Sequence, residues 1–239
     1  MPESITIALD IMSGDNGPSP ALTGAFKSLD LIDDLKIILV GDESMIGGKI
    51  APANINRIEI VHTDEFIKMD DDLVHAIRNK KKSSMRLAVN CVKDSIAQAC
   101  VSAGNTGALM SISKIILKTI EGIDRPAICT SLPTKKNFMQ MLDLGANIEC
   151  SAQNLFQFAV MGASVVESLE LSKNPRVGLL NIGSEEIKGN ETIKETFQIL
   201  NEKNSNNYNF AGYIEGNHLM DGDVNVIVSD GFTGNVALK

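Results

Sequence analysis

The sequence has no tryptophan, and aromatic residues make up only 4% of its 239 positions. Its core must therefore rest on Ile, Leu, Val, Ala and Met rather than on stacked rings. Positive charge is also short: 22 Lys and Arg stand against 30 Asp and Glu, for a net charge of −8. That balance excludes a general nucleic-acid binder, which needs a basic face, but not a local basic patch. Cysteine is sparse, at Cys91, Cys100, Cys129 and Cys150, with no CxxC pair. Each lies in an apolar stretch, so reduced buried thiols in a cytoplasmic protein are expected rather than disulfides or a metal cluster. His62, His75 and His218 lack the HxxxH spacing of a zinc site. No apolar run approaches the roughly 18 residues of a membrane span. The N-terminus, MPESITIALD, lacks the basic-then-apolar order of a signal peptide. Neither GxGxxG nor a P-loop GK[ST] occurs, which disfavours NAD and ATP.

What is present is ordinary globular material: 44% hydrophobic and 22% charged residues, long enough for one large α/β domain. Strands are expected at 5–10, 36–40, 58–61, 99–102, 127–132, 138–143, 177–181 and 224–229. The runs at 36–40 (KIILV) and 99–102 read as buried strands. Helices are expected from an N-cap at Ser19 with Pro20 at the first turn, then at 84–94, 106–120, 151–171 and 191–201. A last helix begins at Val236, where the chain stops. Residues 201–209, rich in Asn and Ser, read as a surface loop. Strand–helix alternation of this kind implies a mainly parallel sheet with helices on both faces, taken as a single domain over 1–239.

Five polar, glycine-bearing loops follow expected strands: 11–18 (IMSGDNGP), 103–107 (AGNTG), 144–147 (LGAN), 182–190 (IGSEEIKGN) and 230–235 (DGFTGN). In an open parallel sheet, ligands bind beyond the carboxyl ends of the strands, where such loops lie. The AGNTG loop is the best anion candidate, because Gly104 and Gly107 allow close backbone approach and a helix N-terminus follows. Thr106 is either a hydroxyl donor to that anion, an N-cap, or both. Lys188 is the cation of the 182–190 loop and either counters an oxyanion or is simply solvated; Asn190 after it reads as an N-cap. Arg78, Lys80, Lys81, Lys82 and Arg86 crowd nine residues of an acidic chain, as a solvated face or as a dock for an acidic partner. The acidic triplet 70–72 reads as a helix start rather than a metal site.

The blocks ALDIMSGDNGP, RNKKKSSM, VSAGNTGALM, LDLGAN, LLNIGSEEIKGNE and VSDGFTGNVALK resemble, in order and spacing, the bacterial phosphate acyltransferases of phospholipid synthesis, over essentially the whole chain. The resemblance implies a three-layer α/β/α, Rossmann-like fold with a mainly parallel sheet, similar to phosphotransacetylases and isopropylmalate dehydrogenases. It also implies a homodimer, acyl carrier protein as acyl donor, inorganic phosphate as acceptor and acyl phosphate as product. Peripheral association with the inner face of the membrane is implied too; no cofactor is expected, and no metal ligand is among the candidate site residues. Two positions depart from the family pattern: Ser13 stands where the family usually has Gly, and Asn16 where it often has His. The family also continues past VALK, so a C-terminally shortened chain is expected. Under this reading Asn105, Thr106, Gly104 and Gly107 hold phosphate and Lys188 supplies counter-charge. Thr233 or Asn235 donates to the oxyanion, Asp230 orients them, Asp10 and Asp15 shape the first loop, and Asn190 lies at the substrate. The basic run at 78–86 receives the carrier protein. Two alternatives stay open: a short-chain acyl-CoA transacylase, and a non-catalytic domain that binds the carrier or dimerises.

Overall fold

The computed structural model describes residues 4–48, 50–185, 187–203 and 207–239. The chain divides into two units, residues 1–118 and 119–239.

The first unit runs β1 (Ile5–Asp10), α1 (Pro18–Leu31), β2 (Leu35–Gly41), the short α2 (Glu43–Ile46), a 3-10 turn (Pro52–Arg57), β3 (Ile58–His62), α3 (Leu73–Asn79), α4 (Ser84–Lys93), β4 (Ala99–Ser102) and α5 (Thr106–Leu117). Its sheet has the order β3-β2-β1-β4 and is parallel throughout. The period-two alternation of a strand decides what each face carries. Ile7, Leu9, Ile37 and Leu39 pack with Leu22, Ala25 and Leu29 of α1. Ala8, Ile38 and Val40 pack with Ala88 and Cys91 of α4. Each large aliphatic side chain so enclosed contributes about 1.5–3 kcal/mol. From β1 the chain steps outward to β2 and β3, then returns to place β4 on β1's other side. That reversal opens a crevice beyond the carboxyl ends of β1 and β4.

The second unit runs β5 (Thr130–Pro133), β6 (Phe138–Leu142), α6 (Ala152–Ser168), β7 (Arg176–Asn181), α7 (Glu191–Glu202), β8 (Asn209–Glu215), a 3-10 turn (Gly216–His218), β9 (Val226–Val228) and α8 (Gly231–Leu238). Its sheet has the order β5-β6-β9-β7-β8, parallel except for the β5–β6 hairpin. One face is covered by α6 and α7, through Leu155, Phe158, Val166, Ile193 and Leu200. On the other face Met139, Met141, Leu180, Leu219 and Ile227 pack together, with Ala237 of α8 against them. The helices leaving β7 and β9 thus depart to opposite faces, which opens a second crevice between those two strands. The parallel α/β class expected from the sequence is the class observed.

Several boundaries differ from expectation, each for a local reason. Helix α1 starts at Pro18, with Gly17 as its N-cap, rather than after Ser19. Strand β4 is an edge strand whose Val101 is 51% exposed, not a buried one. Helix α5 ends at Leu117, because Lys118 adopts a left-handed φ of 64°, and this leaves Ile120 76% exposed. The 127–132 strand is instead Thr130–Pro133, with Pro133 tolerated on the edge. Helix α6 is shorter than 151–171 because Ser151 is its N-cap, closed by a reciprocal bond with Asn154. The last strand is only Val226–Val228, and its helix begins at Gly231 rather than Val236. Strand β8 went unread because its pairing with β7 slips between Val177 and Leu179, which face Phe210 and Tyr213. That bulge, with Gly212 at a φ of 88°, breaks the alternation that marks a strand. Of the expected 201–209 loop, residues 204–206 lie outside the described residues.

Candidate active site

In the first unit, the crevice is organised by one carboxylate. Asp10, fully buried at the end of β1, accepts the Met12 and Ser13 amides on Oδ1 at 3.1 and 3.2 Å. Its Oδ2 accepts the Ser102 hydroxyl at 2.7 Å, and the Gly104 amide donates to that same hydroxyl oxygen at 3.1 Å. A single Asp–Ser–backbone chain therefore ties the loop after β1 to the loop after β4. Gly104 is required there, since a Cβ on it would lie 2.5 Å from Ser13 Cβ and 2.8 Å from Met85 Cε. The N-cap of α5 is Asn105, not Thr106. Its Oδ1 accepts the Ala108 amide at 3.0 Å and its Nδ2 donates to Met69 O at 3.1 Å. The Asn105 side chain is thus occupied in holding the helix start, while the Thr106 hydroxyl is exposed beside it. Gly107 lies in the same first turn, and Asp15 is exposed on the outer part of the first loop. Between α1, β1 and the β4 edge runs an apolar groove of about 840 Å³, lined by Ile5, Ile7, Leu9, Ala21, Ala25 and Val101. Asp10, Ser13 and Ser102 lie at its polar end.

The basic run divides in two. Lys80 is paired with Asp71 at 2.5 Å and donates to Phe66 O, and Arg86 donates to Ile77 O. Arg78, Lys81 and Lys82 are exposed. The acidic triplet acts as a helix start, as expected: Asp72 caps α3 by accepting the His75 amide at 2.7 Å.

In the second unit, Asp143 is the organiser that sequence reasoning passed over. It is fully buried and accepts four N–H bonds. Oδ1 takes the Ile128 and Ala146 amides at 3.0 and 3.1 Å, while Oδ2 takes the Asn147 amide and side chain at 2.6 and 2.8 Å. The legible signal was an Asp directly before a glycine turn in LDLGAN, the same pattern that Asp10 shows in ALDIMSGDNGP. The first turn of α8 is seated on this loop. Gly231 N donates to Asn147 O at 2.8 Å, and a Cβ on Gly234 would fall 1.9 Å from Asp143 O.

Asp230 caps α8, accepting the Thr233 amide at 2.8 Å and the Thr233 hydroxyl at 2.7 Å. Asn190 caps α7, accepting the Ile193 amide at 2.9 Å. Asn190, Asp230 and Thr233 all line two adjoining clefts, of about 650 and 410 Å³, at the carboxyl ends of β7 and β9. Asn235 lies apart from both, its amide turned onto Leu144 O at 3.4 Å. Lys188 is exposed on the β7–α7 loop, where its carbonyl accepts from Asn181 Nδ2 and its ammonium carries no ion pair among the described residues. Glu186 of that loop lies outside the described residues. The four thiols are all held above the usual range by burial, Cys150 in the larger cleft up to about 11. They are protonated at neutral pH and poor nucleophiles.

The sequence matches the family described as fatty acid synthesis protein over residues 5–239. It is 50% identical over 238 residues to a phosphate acyltransferase of Hydrogenovibrio crunogenus, covering 99% of this chain and 70% of that protein. To the phosphate acyltransferase of Shewanella halifaxensis it is 51% identical over 240 residues, with the same two shares. Among solved structures, the EutD phosphotransacetylase from Staphylococcus aureus superposes with a TM-score of 0.71 at 18% identity, covering 98% of this chain and 80% of that one. A phosphotransacetylase from Streptococcus pyogenes gives 0.71 at 16% identity, covering 100% and 81%. At those identities the structures speak for the fold alone. No helix among the described residues is long and apolar enough to cross a membrane.

Proposed function

We propose, from the premise that this chain belongs to the fatty acid synthesis protein family and is a phosphate acyltransferase, that it moves a long-chain acyl group from acyl carrier protein to inorganic phosphate. The observation that carries this reading is the pair of glycine-turned crevices, each beyond the carboxyl ends of parallel strands and each edged by capped helix N-termini. Such places favour an anion.

The chemistry asks little of the protein beyond placement. A phosphate oxygen attacks the thioester carbonyl and the carbonyl electrons move onto oxygen. The tetrahedral oxyanion then collapses, and the carrier leaves as thiolate, a good leaving group with a pKa of about 8.5. No covalent protein intermediate is needed, which agrees with the protonated state of all four thiols. Backbone amides around Gly104, Thr106 and Gly107 are the proposed phosphate holders of the first unit, and Lys188 is the proposed cation of the second. Asp230, by accepting the Thr233 amide and hydroxyl, holds the start of α8 at the second crevice. The apolar groove beside the first loop supports a long alkyl chain rather than an acetyl group. The acidic balance of the chain with its exposed Arg78, Lys81 and Lys82 supports an acidic carrier as donor. The cytoplasmic, dimeric, membrane-peripheral enzyme of phospholipid synthesis is the setting proposed with it.

The test is an acyl phosphate assay with long-chain acyl carrier protein beside acetyl-CoA and long-chain acyl-CoA. Preference for the carrier is expected, and a rate highest with acetyl-CoA refutes the donor. In the same assay Lys188→Ala is expected to raise the phosphate KM about two- to fivefold, since an exposed charge contributes at most on the order of 1 kcal/mol.

A further inference from the structure

Exposed apolar side chains are ordinary when scattered and informative when gathered. In the first unit Met69, Leu73 and Val74 are 46%, 36% and 55% exposed, and all three lie within six residues at the start of α3. At the other end of that helix come Arg78, Lys81 and Lys82, all exposed. Val74 and Arg78 stand four residues apart, so they are neighbours on the solvent face of the helix. A helix rises about 1.5 Å per residue, which puts the apolar and basic ends of α3 roughly 8 Å apart, within one contact patch.

The patch is held in one shape. Lys80, just past α3, reaches back to Phe66 O at 3.0 Å and to Asp71 at 2.5 Å, and Asp72 caps the helix on the His75 amide. Asp71 and Asp72, at the apolar end, are thus committed within the segment. On the inner side Ala76 is buried in the cluster that holds Ala108 and Ile112 of α5, which keeps Val74 turned outward. Behind the basic turn Ser83 and Ser84 are fully buried, their hydroxyls without a hydrogen-bond partner, and it is Lys81 and Lys82 that face solvent. The apolar end meets the candidate phosphate loop. Asn105 Nδ2 donates to Met69 O at 3.1 Å, and Leu73 Cδ2 lies 3.6 Å from where a Cβ on Gly107 would stand. An apolar centre with a charged rim, preformed and beside a reaction site, has the anatomy of a docking surface.

We infer that α3 is the landing face of the acidic protein that brings the acyl group, with Met69, Leu73 and Val74 as the apolar centre of the contact and Arg78, Lys81 and Lys82 as its basic rim. The inference rests on the acyl-transfer reading and adds to it the residues that supply the affinity, since a rim of exposed charges steers a partner more than it holds one. The basic rim calls for an anionic partner, and the adjoining Asn105–Gly107 turn for one that carries the group to be transferred.

The test is Met69→Ser/Val74→Ser, two exposed changes, beside Arg78→Ala and the parent chain. Long-chain acyl carrier protein is titrated onto each by calorimetry and then used as donor in the acyl phosphate assay. The double serine variant is expected to keep the parent's melting temperature and phosphate KM, while its carrier Kd and carrier KM rise tenfold or more, by the same factor at about 0.05 and 0.3 M salt. Arg78→Ala is expected to weaken carrier binding at the lower salt alone. A carrier Kd and KM unchanged in the double variant overturn the inference. If the double variant loses binding to anionic phospholipid vesicles at constant carrier Kd, the face belongs to a membrane and the inference is equally overturned. The same holds if it changes the oligomeric state in sedimentation at constant carrier Kd, which assigns the face to a second copy of the chain. Val74→Ser alone is read in the same way should the double variant not fold. If no thioester yields acyl phosphate with the parent chain, the acyl-transfer reading fails, and the calorimetric Kd values still decide the surface.

Discussion

At the scale of single residues, two buried aspartates do for the loops what cysteine or metal does in other small folds. Asp143 turns four N–H groups of a tight loop toward one carboxylate. Asp143→Asn faces two of those donors with a third, and a loss of about 3 kcal/mol is expected, read as a lower denaturant midpoint at constant slope. Exposed pairs set the pH limits. The Lys80 ammonium bonded to Asp71, and the Lys135 ammonium with His218 bonded to Asp221, hold both carboxyls below the ordinary range. A depressed pKa means that this stabilisation is present above the unfolded value of about 3.9 and is lost as pH falls through the folded one. Lys135 is raised by Asp221, so its share is complete below about pH 10.4 and is lost above the folded value. The melting temperature is therefore expected to be flat near neutrality and to fall at both ends, most visibly below about pH 4. A maximum at acid pH would contradict these pairs.

At the scale of elements, the start of α8 shows how a short helix can be fixed by its neighbours. Its 8 residues have no charged first turn, and what fixes them is the seat on the Asp143 loop. Gly234→Ala drives a methyl group into Asp143 O, so α8 must lift. A destabilisation of about 1–3 kcal/mol is expected, with a drop in kcat larger than that of Gly47→Ala, where a Cβ meets only an ordinary contact at 3.7 Å. Equal activity of the two variants would detach α8 from the chemistry.

At the scale of the whole molecule, the proposed function makes the exposed Arg78, Lys81 and Lys82 of this acidic chain the surface for an acidic carrier. The carrier KM is therefore expected to rise several-fold between about 0.05 and 0.3 M salt, as screening shortens the reach of those charges. Arg78→Glu should raise it at low salt alone. A salt-independent KM would remove this surface from the docking role. The sequence by itself determined the strand–helix alternation of most of the chain, the parallel class, and the glycine loops at strand ends, because these follow from local periodicity and backbone freedom. It also marked Asn190 as a cap and the 70–72 triplet as a helix start. Only the tertiary structure decided that Asp143 is the carboxylate around which the second unit's loop closes, and that Asn105 rather than Thr106 caps α5. The same is true of Lys80 and Arg86 being committed to the fold, of β8 existing behind its bulge, and of two serines of RNKKKSSM being buried without partners. Each of these depends on which residues distant in the chain meet across a sheet edge, and burial and hydrogen-bond satisfaction are properties of that meeting, not of a residue or its neighbours.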